Sequence, residues 1–167
     1  MNYNVIATSY RNESKYLIKE LNKHGDFRKT SFRDVLVGSV EDVEGFLKKI
    51  VKKPPLSLAR LIPLKEVINF KKPSALLRKL KNKILELADL KNDESFRVTV
   101  ERRGWKGEIN SHEWAKILGE IVYKEKNNPV NLEEPDIELV VEIMKNSCGL
   151  AVIREEERDD YYFLRAK

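Results

Sequence analysis

Apolar positions along this chain repeat with two periods, one near 3.6 residues and the other near two. Apolar residues three or four positions apart predict amphipathic helices over residues 12–24, 40–51, 74–90 and 110–126. Short β-branched or alternating runs predict strands over residues 3–8, 32–37, 59–64, 96–101, 136–144 and 148–154, with a last short strand over 161–164. Helices mixed with antiparallel strands predict an α+β fold.

Cap and turn residues mark where several of these elements begin and end. Ser39 is the predicted N-cap of the second helix, and Gly38 is the predicted end of the strand before it. Asn110, with Glu113 three residues later, begins the fourth helix. Pro63 confines its strand to the edge of a sheet or to a bulge, because proline cannot donate to a neighbouring strand. The last two long strands predict an antiparallel hairpin with its turn at residues 145–147.

The order of elements is β-α-β-α-β, then a long helix, then β-α-β-β. Neither a repeat nor a glycine- and serine-rich linker interrupts it. The sequence therefore predicts two domains, residues 1–70 and residues 71–167, joined by a short connection near residues 70–73.

Composition favours an intracellular protein. Cys148 is the single cysteine of 167 residues, so an internal disulfide is excluded and a reducing compartment is expected. No apolar run approaches the roughly 18 residues that cross a membrane, and no apolar signal segment opens the chain. We therefore expect a cytoplasmic protein without a membrane partner.

The net charge of +5 is distributed unevenly. Residues 1–70 hold 13 basic and 8 acidic side chains, residues 71–106 hold 11 and 5, and residues 107–167 hold 8 and 14. A polyanion-binding face backed by an acidic face would produce this asymmetry. A solvated surface whose charges mix again on folding explains it equally well, so charge alone leaves both interpretations open.

Residues typical of catalysis are sparse. The seven glycines form neither GxGxxG nor GxxxxGK[ST], and the single cysteine and two histidines form no metal-binding motif. His112 is expected in the first turn of a helix, with no third group placed to orient it as a base. Cys148 opens an apolar strand and is expected to pack, not to react. We expect a chain that is not an enzyme and needs neither cofactor nor metal.

Basic residues around Trp105 suggest contact with nucleic acid. Arg97, Arg102, Arg103 and Lys106 can bind phosphates, and an exposed indole can stack on an unpaired base. The alternative is that Trp105 caps the core and its basic neighbours are merely solvated. Lysine pairs such as Lys71-Lys72 are electrostatic candidates that carry no sequence-reading chemistry.

Residues 71–154 resemble a THUMP domain, an RNA-binding module of enzymes and adaptors that modify tRNA. The resemblance is carried by FRVTVERRG at residues 96–104, by the helix with Ser111 and Gly119, and above all by VNLEEPD at residues 130–136. In that last motif Pro135 rigidifies the approach to the strand, and Asp136 is expected to hold the turn through its own backbone N–H partners. The following strand then points Ile137, Leu139, Val141 and Ile143 to one face.

The first half is compatible with the N-terminal ferredoxin-like domain that THUMP proteins commonly carry, although a complete one needs a further element. Residues 60–64 (RLIPL) and 140–153 are similar to the THUMP adaptor of tRNA cytidine acetylation, which has no catalytic domain. The resemblance implies a non-catalytic adaptor that binds the acceptor end and elbow of tRNA, not DNA. A separate tRNA cytidine acetyltransferase would then N4-acetylate a D-arm cytidine.

The RNA-binding residues that this interpretation proposes are Arg60, Lys71, Lys72, Arg78, Arg97, Arg102, Arg103, Trp105, Lys106, Lys145 and Asn146. Two alternatives stay open. In one, the chain is the RNA-binding subunit of a thiolation or methylation enzyme whose catalytic domain is on another chain. In the other, it is a protein-interaction module that uses the acidic residues 155–160 and binds no RNA.

Overall fold

The computed structural model describes residues 2–164, which form two compact units. The first comprises residues 2–64 and 157–164, and the second comprises Lys65–Glu156. Each unit contains one four-stranded sheet. The division falls before the strand at residues 66–69, whereas the predicted domain boundary falls after it. Residues 1 and 165–167, which the predicted domain ranges include, lie outside the described residues.

The first unit has the element order β-α-β-β-α-β. Its elements are β1 (Val5–Ser9), α1 (Ser14–Leu21), β2 (Asp26–Lys29), β3 (Val35–Ser39), α2 (Val43–Lys52) and β4 (Leu58–Pro63). The strands are antiparallel in the order β2-β3-β1-β4, the arrangement of a ferredoxin-like unit. A complete ferredoxin-like domain needs one element more than the sequence predicted. That element is β2, in which only Phe27 is both apolar and buried. β4, which holds Pro63, is an edge strand of this sheet, as predicted.

Gly38 lies inside β3 and does not end the strand before it, contrary to the prediction. Gly38 pairs with Phe27 across the sheet, and a Cβ on it would lie 2.2 Å from the Phe27 ring. Glycine is needed at this position because the ring packs directly on the backbone. The predicted N-cap Ser39 is also wrong, because α2 begins later and Asp42 Oδ1 accepts a hydrogen bond from Gly45 N at 3.1 Å.

The described chain after β8 is mostly helical. α5 (Glu155–Asp160) is followed by a 3₁₀ turn (Tyr162–Leu164), so the predicted strand over residues 161–164 is wrong. Phe163 and Leu164 are buried, and the turn packs against β4 of the first unit. So short an apolar run has no periodicity that separates a strand from a helical turn.

The second unit packs two helices on one face of its sheet. Its elements are β5 (Glu66–Asn69), α3 (Pro73–Leu87), β6 (Phe96–Arg102), α4 (Ser111–Lys126), β7 (Ile137–Ile143) and β8 (Ser147–Arg154). The sheet order is β5-β8-β7-β6, with β6 parallel to β7 and the other pairs antiparallel. This confirms the hairpin between β7 and β8, and mixed elements in both units confirm the α+β class.

The core of the second unit confirms the predicted strand registers. Both faces of β7 are buried, and the face that packs with the helices consists of Ile137, Leu139, Val141 and Ile143, each with no exposed surface. The helices contribute Leu76, Leu80 and Ile84 from α3 and Trp114, Leu118 and Val122 from α4. Asn110 is the N-cap of α4, with its Oδ1 2.9 Å from the backbone N of Glu113. Among residues 2–164, no helix is both long and apolar enough to cross a membrane.

Candidate nucleic-acid interface

Strand directions bring three separate basic segments to one end of the second sheet. β6 and β7 are parallel, so Arg102 at the end of β6 pairs with Ile143 at the end of β7, just before the hairpin turn. β5 runs antiparallel to β8, so its last residue, Asn69, pairs with Ser147 on the other side of that turn. We call this region the basic end; it comprises Lys71, Lys72, Arg102, Arg103, Trp105, Lys106, Lys145 and Asn146.

Backbone and ring contacts hold the three segments of the basic end together. The backbone N–H of Arg103 donates to Ile143 O at 2.8 Å, and that of Phe70 donates to Asn146 O at 3.0 Å. The indole Nε1 of Trp105 donates to Lys145 O at 2.7 Å, and its ring centroid lies 5.9 Å from that of Phe70. The sheet and its loops therefore set the spacing between the positively charged residues of the basic end.

Four lysines of the basic end have exposed side chains, namely Lys71, Lys72, Lys106 and Lys145. They come from three segments that are far apart in sequence. An ammonium group on an exposed stem can reach a phosphate at little cost in desolvation. This part of the surface is suited to bind a polyanion.

The two adjacent arginines of the basic end differ in their contacts. Arg103 Nη1 lies 2.7 Å from Oε2 of Glu142, which has no exposed surface, while the Arg103 side chain is only 17% exposed. Arg102 Nη1 donates to Gly104 O at 2.6 Å, within its own loop. Arg103 therefore neutralises a buried carboxylate, a task that substitution would disturb whether or not RNA binds.

Trp105 packs against the core of the second unit and is only partly exposed. Its φ is 59°, and the neighbouring Gly104 and Gly107 have φ values of 82° and 83°. Because its N–H is bonded and its ring lies close to Phe70, the geometry favours the core-capping interpretation over stacking on an unpaired base.

Arg97 lies at the opposite end of β6, about 16 Å from Arg102 at the usual rise of a strand. Its Nε donates to Glu138 Oε2 at 3.1 Å, Nη2 contacts the same oxygen, and Nη1 donates to Leu132 O at 2.7 Å. Thr99 Oγ1 also donates to Glu138 Oε2, at 2.6 Å. Arg97 is thus part of a different cluster, which holds a carboxylate that is only 1% exposed.

The VNLEEPD motif is held differently from the prediction. Asn131 Oδ1 accepts from the backbone N of Glu133 and Glu134 at 3.1 and 3.0 Å, so Asn131 holds the turn. Asp136 Oδ2 instead accepts from the backbone N and hydroxyl of Ser95 at 2.8 and 3.2 Å. The aspartate therefore joins the start of β7 to the residue before β6.

Two further predicted residues are not among those that define the basic end. Arg60 is on β4 of the first unit with 8% exposure, a position that does not favour direct contact with a phosphate. Arg78 is exposed on α3. RNA contact through either residue stays a prediction, as it does for the other nine.

Sequence reasoning missed one lysine beside the basic end. Lys79 Nζ on α3 donates to the carbonyl of Asn69, the last residue of β5, at 3.4 Å. The signal was available, since Lys79 follows Lys72 by two helical turns and so falls on the same face.

Residues considered for catalysis lie in structural positions. Cys148 is buried, and burial, with the charge of Glu142 as the lesser cause, raises the pKa of its thiol far above its ordinary value of 9.0. His112 is exposed in the first turn of α4, where the sequence placed it. Within residues 2–164 no three His, Cys, Asp or Glu side chains are grouped to hold a metal ion.

Comparison with known proteins identifies a domain in the second unit. Residues 77–153 match the model of the THUMP domain, so the chain contains a THUMP domain, in agreement with the resemblance in its sequence. The match includes most of the basic end but neither Lys71 nor Lys72. No curated protein matches the sequence at a significant level.

Solved structures share the fold across nearly all of the chain. TrmN from Thermus thermophilus superposes with a TM-score of 0.69 at 20% identity, over 94% of this chain and 48% of that one. PH1313 from Pyrococcus horikoshii Ot3 gives 0.66 at 18% identity, over 91% and 54%. A 4-thiouridine synthetase in complex with RNA and ATP gives 0.57 at 16% identity, over 92% and 42%. The chain thus spans about half the length of these proteins.

Proposed function

We propose that the protein binds tRNA through the basic end of its second unit and presents it to a modification enzyme. The observation that carries this proposal is the convergence of three basic segments, tied by backbone hydrogen bonds, within and beside a THUMP domain. A similar fold in a 4-thiouridine synthetase solved with RNA adds support. Binding would rest on phosphates and 2′-hydroxyls at the acceptor end and elbow, with modest sequence preference.

The chain acts in this proposal as an adaptor and not as an enzyme. The reaction that we propose it serves is N4-acetylation of a D-arm cytidine by a separate tRNA cytidine acetyltransferase in the cytoplasm. This choice rests on the resemblance of residues 60–64 and 140–153 to the adaptor of that reaction.

A second candidate is an RNA-binding subunit for thiolation or methylation whose catalytic domain is on another chain. The observation that favours it is the shared fold with a 4-thiouridine synthetase, of whose length this chain covers 42%.

Titrations with three RNAs across a salt series test the binding function. Full-length tRNA, tRNA lacking its 3′ end and a duplex of equal length are each titrated into the whole protein. Four to six phosphate contacts give a slope of log K against log salt of roughly −3 to −5. We expect the tightest binding for full-length tRNA and a loss on removal of the 3′ end. Equal affinity for all three would reduce the basic end to a general polyanion surface.

Charge reversal assigns the binding to the basic end. Lys106→Glu combined with Lys145→Glu should weaken tRNA binding at least tenfold. Lys116→Glu combined with Lys124→Glu, which changes the same charge on exposed positions of α4, should have a much smaller effect. These lysines are better choices than Arg103, since Arg103→Glu would place a second carboxylate beside Glu142. If the two double variants lose tRNA affinity equally, the basic end is not the RNA-binding surface.

Nucleoside analysis separates the candidate reactions. In cells that lack the gene, tRNA is digested and its modified nucleosides are quantified by mass spectrometry. Loss of N4-acetylcytidine supports the acetylation adaptor, whereas loss of 4-thiouridine or of a methylated nucleoside supports the second candidate. An unchanged profile would exclude both.

A further inference from the structure

Trp105 has a backbone conformation that is costly for a bulky side chain. Its φ of 59° lies in the left-handed region, which glycine and asparagine enter readily and large residues rarely do. Such strain persists only where surrounding contacts fix the conformation, and it is concentrated at functional positions. The contacts of the indole should therefore explain why tryptophan is held here.

Those contacts join every segment of the basic end. The Trp105 ring lies 5.9 Å from Phe70, the residue just before Lys71 and Lys72. Its Nε1 donates to the carbonyl of Lys145 in the hairpin turn at 2.7 Å. Lys106 follows Trp105 directly in the chain. One side chain thus contacts two of the basic segments and belongs to the third.

A backbone hydrogen bond closes the same arrangement. The N–H of Phe70 donates to Asn146 O at 3.0 Å, next to the carbonyl that accepts from Trp105. Two successive carbonyls of the hairpin turn therefore accept hydrogen bonds from neighbouring segments. The carbonyl of Lys145 accepts from the Trp105 indole, and that of Asn146 accepts from the backbone of Phe70. Without the indole N–H, the turn keeps only one of these two bonds to the neighbouring segments.

We propose that Trp105 is the positioning residue of the RNA-binding surface: it contacts no base, and it fixes the three lysine-bearing segments at a spacing that several phosphates can engage together. This proposal rests on the proposed function. Lysine side chains are flexible, so fixing the backbone from which they extend lowers the entropy that binding must remove. Phosphate contacts made at the same time then set the salt dependence of binding.

Trp105→Phe is the informative variant because it removes the N–H donor and keeps a smaller aromatic ring beside Phe70. We expect tRNA affinity to fall about fivefold and the salt slope to become shallower by about one unit, since one or two phosphate contacts are no longer made together. Phe70→Leu removes the ring partner and should act in the same direction. Trp114→Phe is the matched control, since Trp114 belongs to the same core and its helix carries none of the basic segments.

If Trp105 instead stacks directly on a base, the affinity and the salt slope of the variants should change differently. Phenylalanine also stacks on bases, so Trp105→Phe would then keep most of the affinity and leave the salt slope unchanged. That result would overturn the proposal. A fall in affinity with an unchanged slope, matching the Trp114→Phe control, would also overturn it, because the effect would be one of general stability.

Amide hydrogen exchange tests the positioning role without RNA. In Trp105→Phe the Phe70 amide should exchange at least tenfold faster, while amides in the centre of β7 keep their protection. If wild-type protein binds no tRNA, the proposed function fails, and the exchange result still decides whether Trp105 holds the segments together. Unchanged exchange at Phe70 would refute the proposal even if tRNA binds.

Discussion

The two ends of the β6–β7 strand pair show how similar charges can serve different purposes. At the first end, the guanidinium of Arg97 is bonded to the buried Glu138 and to a backbone carbonyl. At the second end, Lys106 and Lys145 extend from loops into solvent. In the sequence, both ends are simply positions where basic residues flank an alternating strand.

What separates the arginines of both ends from the lysines is whether strand pairing places a carboxylate close to the cation. Parallel pairing places Glu138 beside Arg97 and Glu142 beside Glu101, two residues before Arg103, and both carboxylates are buried. A buried carboxylate needs a nearby cation, so these arginines are committed before any ligand arrives. The lysines lie beyond the strand ends, where no strand neighbour is fixed, and remain suited to contact phosphates.

Replacing Val141 with aspartate disrupts the strand that both ends share and should have the largest effect. Val141 has no exposed surface, so Val141→Asp buries a charge in the core and should lower the free energy of unfolding by about 4 kcal/mol. Urea denaturation measures the change. The control Leu132→Asp, at a residue that is 70% exposed, should cost less than about 0.5 kcal/mol. If the two variants unfold alike, the register of β7 is wrong.

A pair of alanine variants contrasts the two ends directly. Arg97→Ala removes three hydrogen bonds and the charge beside Glu138, so it should lower the free energy of unfolding by about 3 kcal/mol while the folded protein keeps its tRNA affinity. Lys71→Ala combined with Lys72→Ala should weaken tRNA binding severalfold and change stability by less than about 0.5 kcal/mol. Denaturation and tRNA titration of both variants are compared. If Arg97→Ala weakens tRNA binding and leaves the free energy of unfolding unchanged, Arg97 contacts the RNA.

The thiol beneath the basic end predicts a smaller effect that depends on pH. Burial raises the pKa of Cys148 in the folded protein, whereas the unfolded chain loses this proton near pH 9. Stability from this group is therefore complete below pH 9 and declines above it, by up to about 1.4 kcal/mol for each pH unit. The pH dependence of unfolding is measured for wild type and Cys148→Ala, whose difference isolates this thiol. Parallel curves for the two proteins would contradict the prediction.

Sequence periodicity predicted the second unit well because most of its elements are long and have one clear apolar face. β6, α4, β7 and β8 lie close to their expected ranges. The elements that were missed or wrongly predicted are short segments, whose sequences show little apolar periodicity. β2 has a single buried apolar residue, and the helical turn at residues 162–164 has too few positions for a period.

The candidate site was predictable as a list of residues but not as a surface. The basic cluster around Trp105 identified Lys106 and the family resemblance added Lys145, yet the meeting of their segments depends on the parallel pairing of β6 with β7. Arg97 and Arg103 were chosen on the same grounds as the lysines, because a sequence does not reveal which carboxylate will lie beside them. Lys79 was missed although its helical spacing from Lys72 marked it.

The return of residues 157–164 to the first unit has a consequence for synthesis on the ribosome. The second unit is continuous from Lys65 to Glu156, so its sheet can close as soon as that stretch has emerged. The first unit begins earlier but finishes later, since Phe163 and Leu164 belong to its buried core. Domains generally fold from the N-terminus during translation. Here the order of completion is reversed: the inserted unit is finished while the unit that surrounds it in sequence still awaits its last residues.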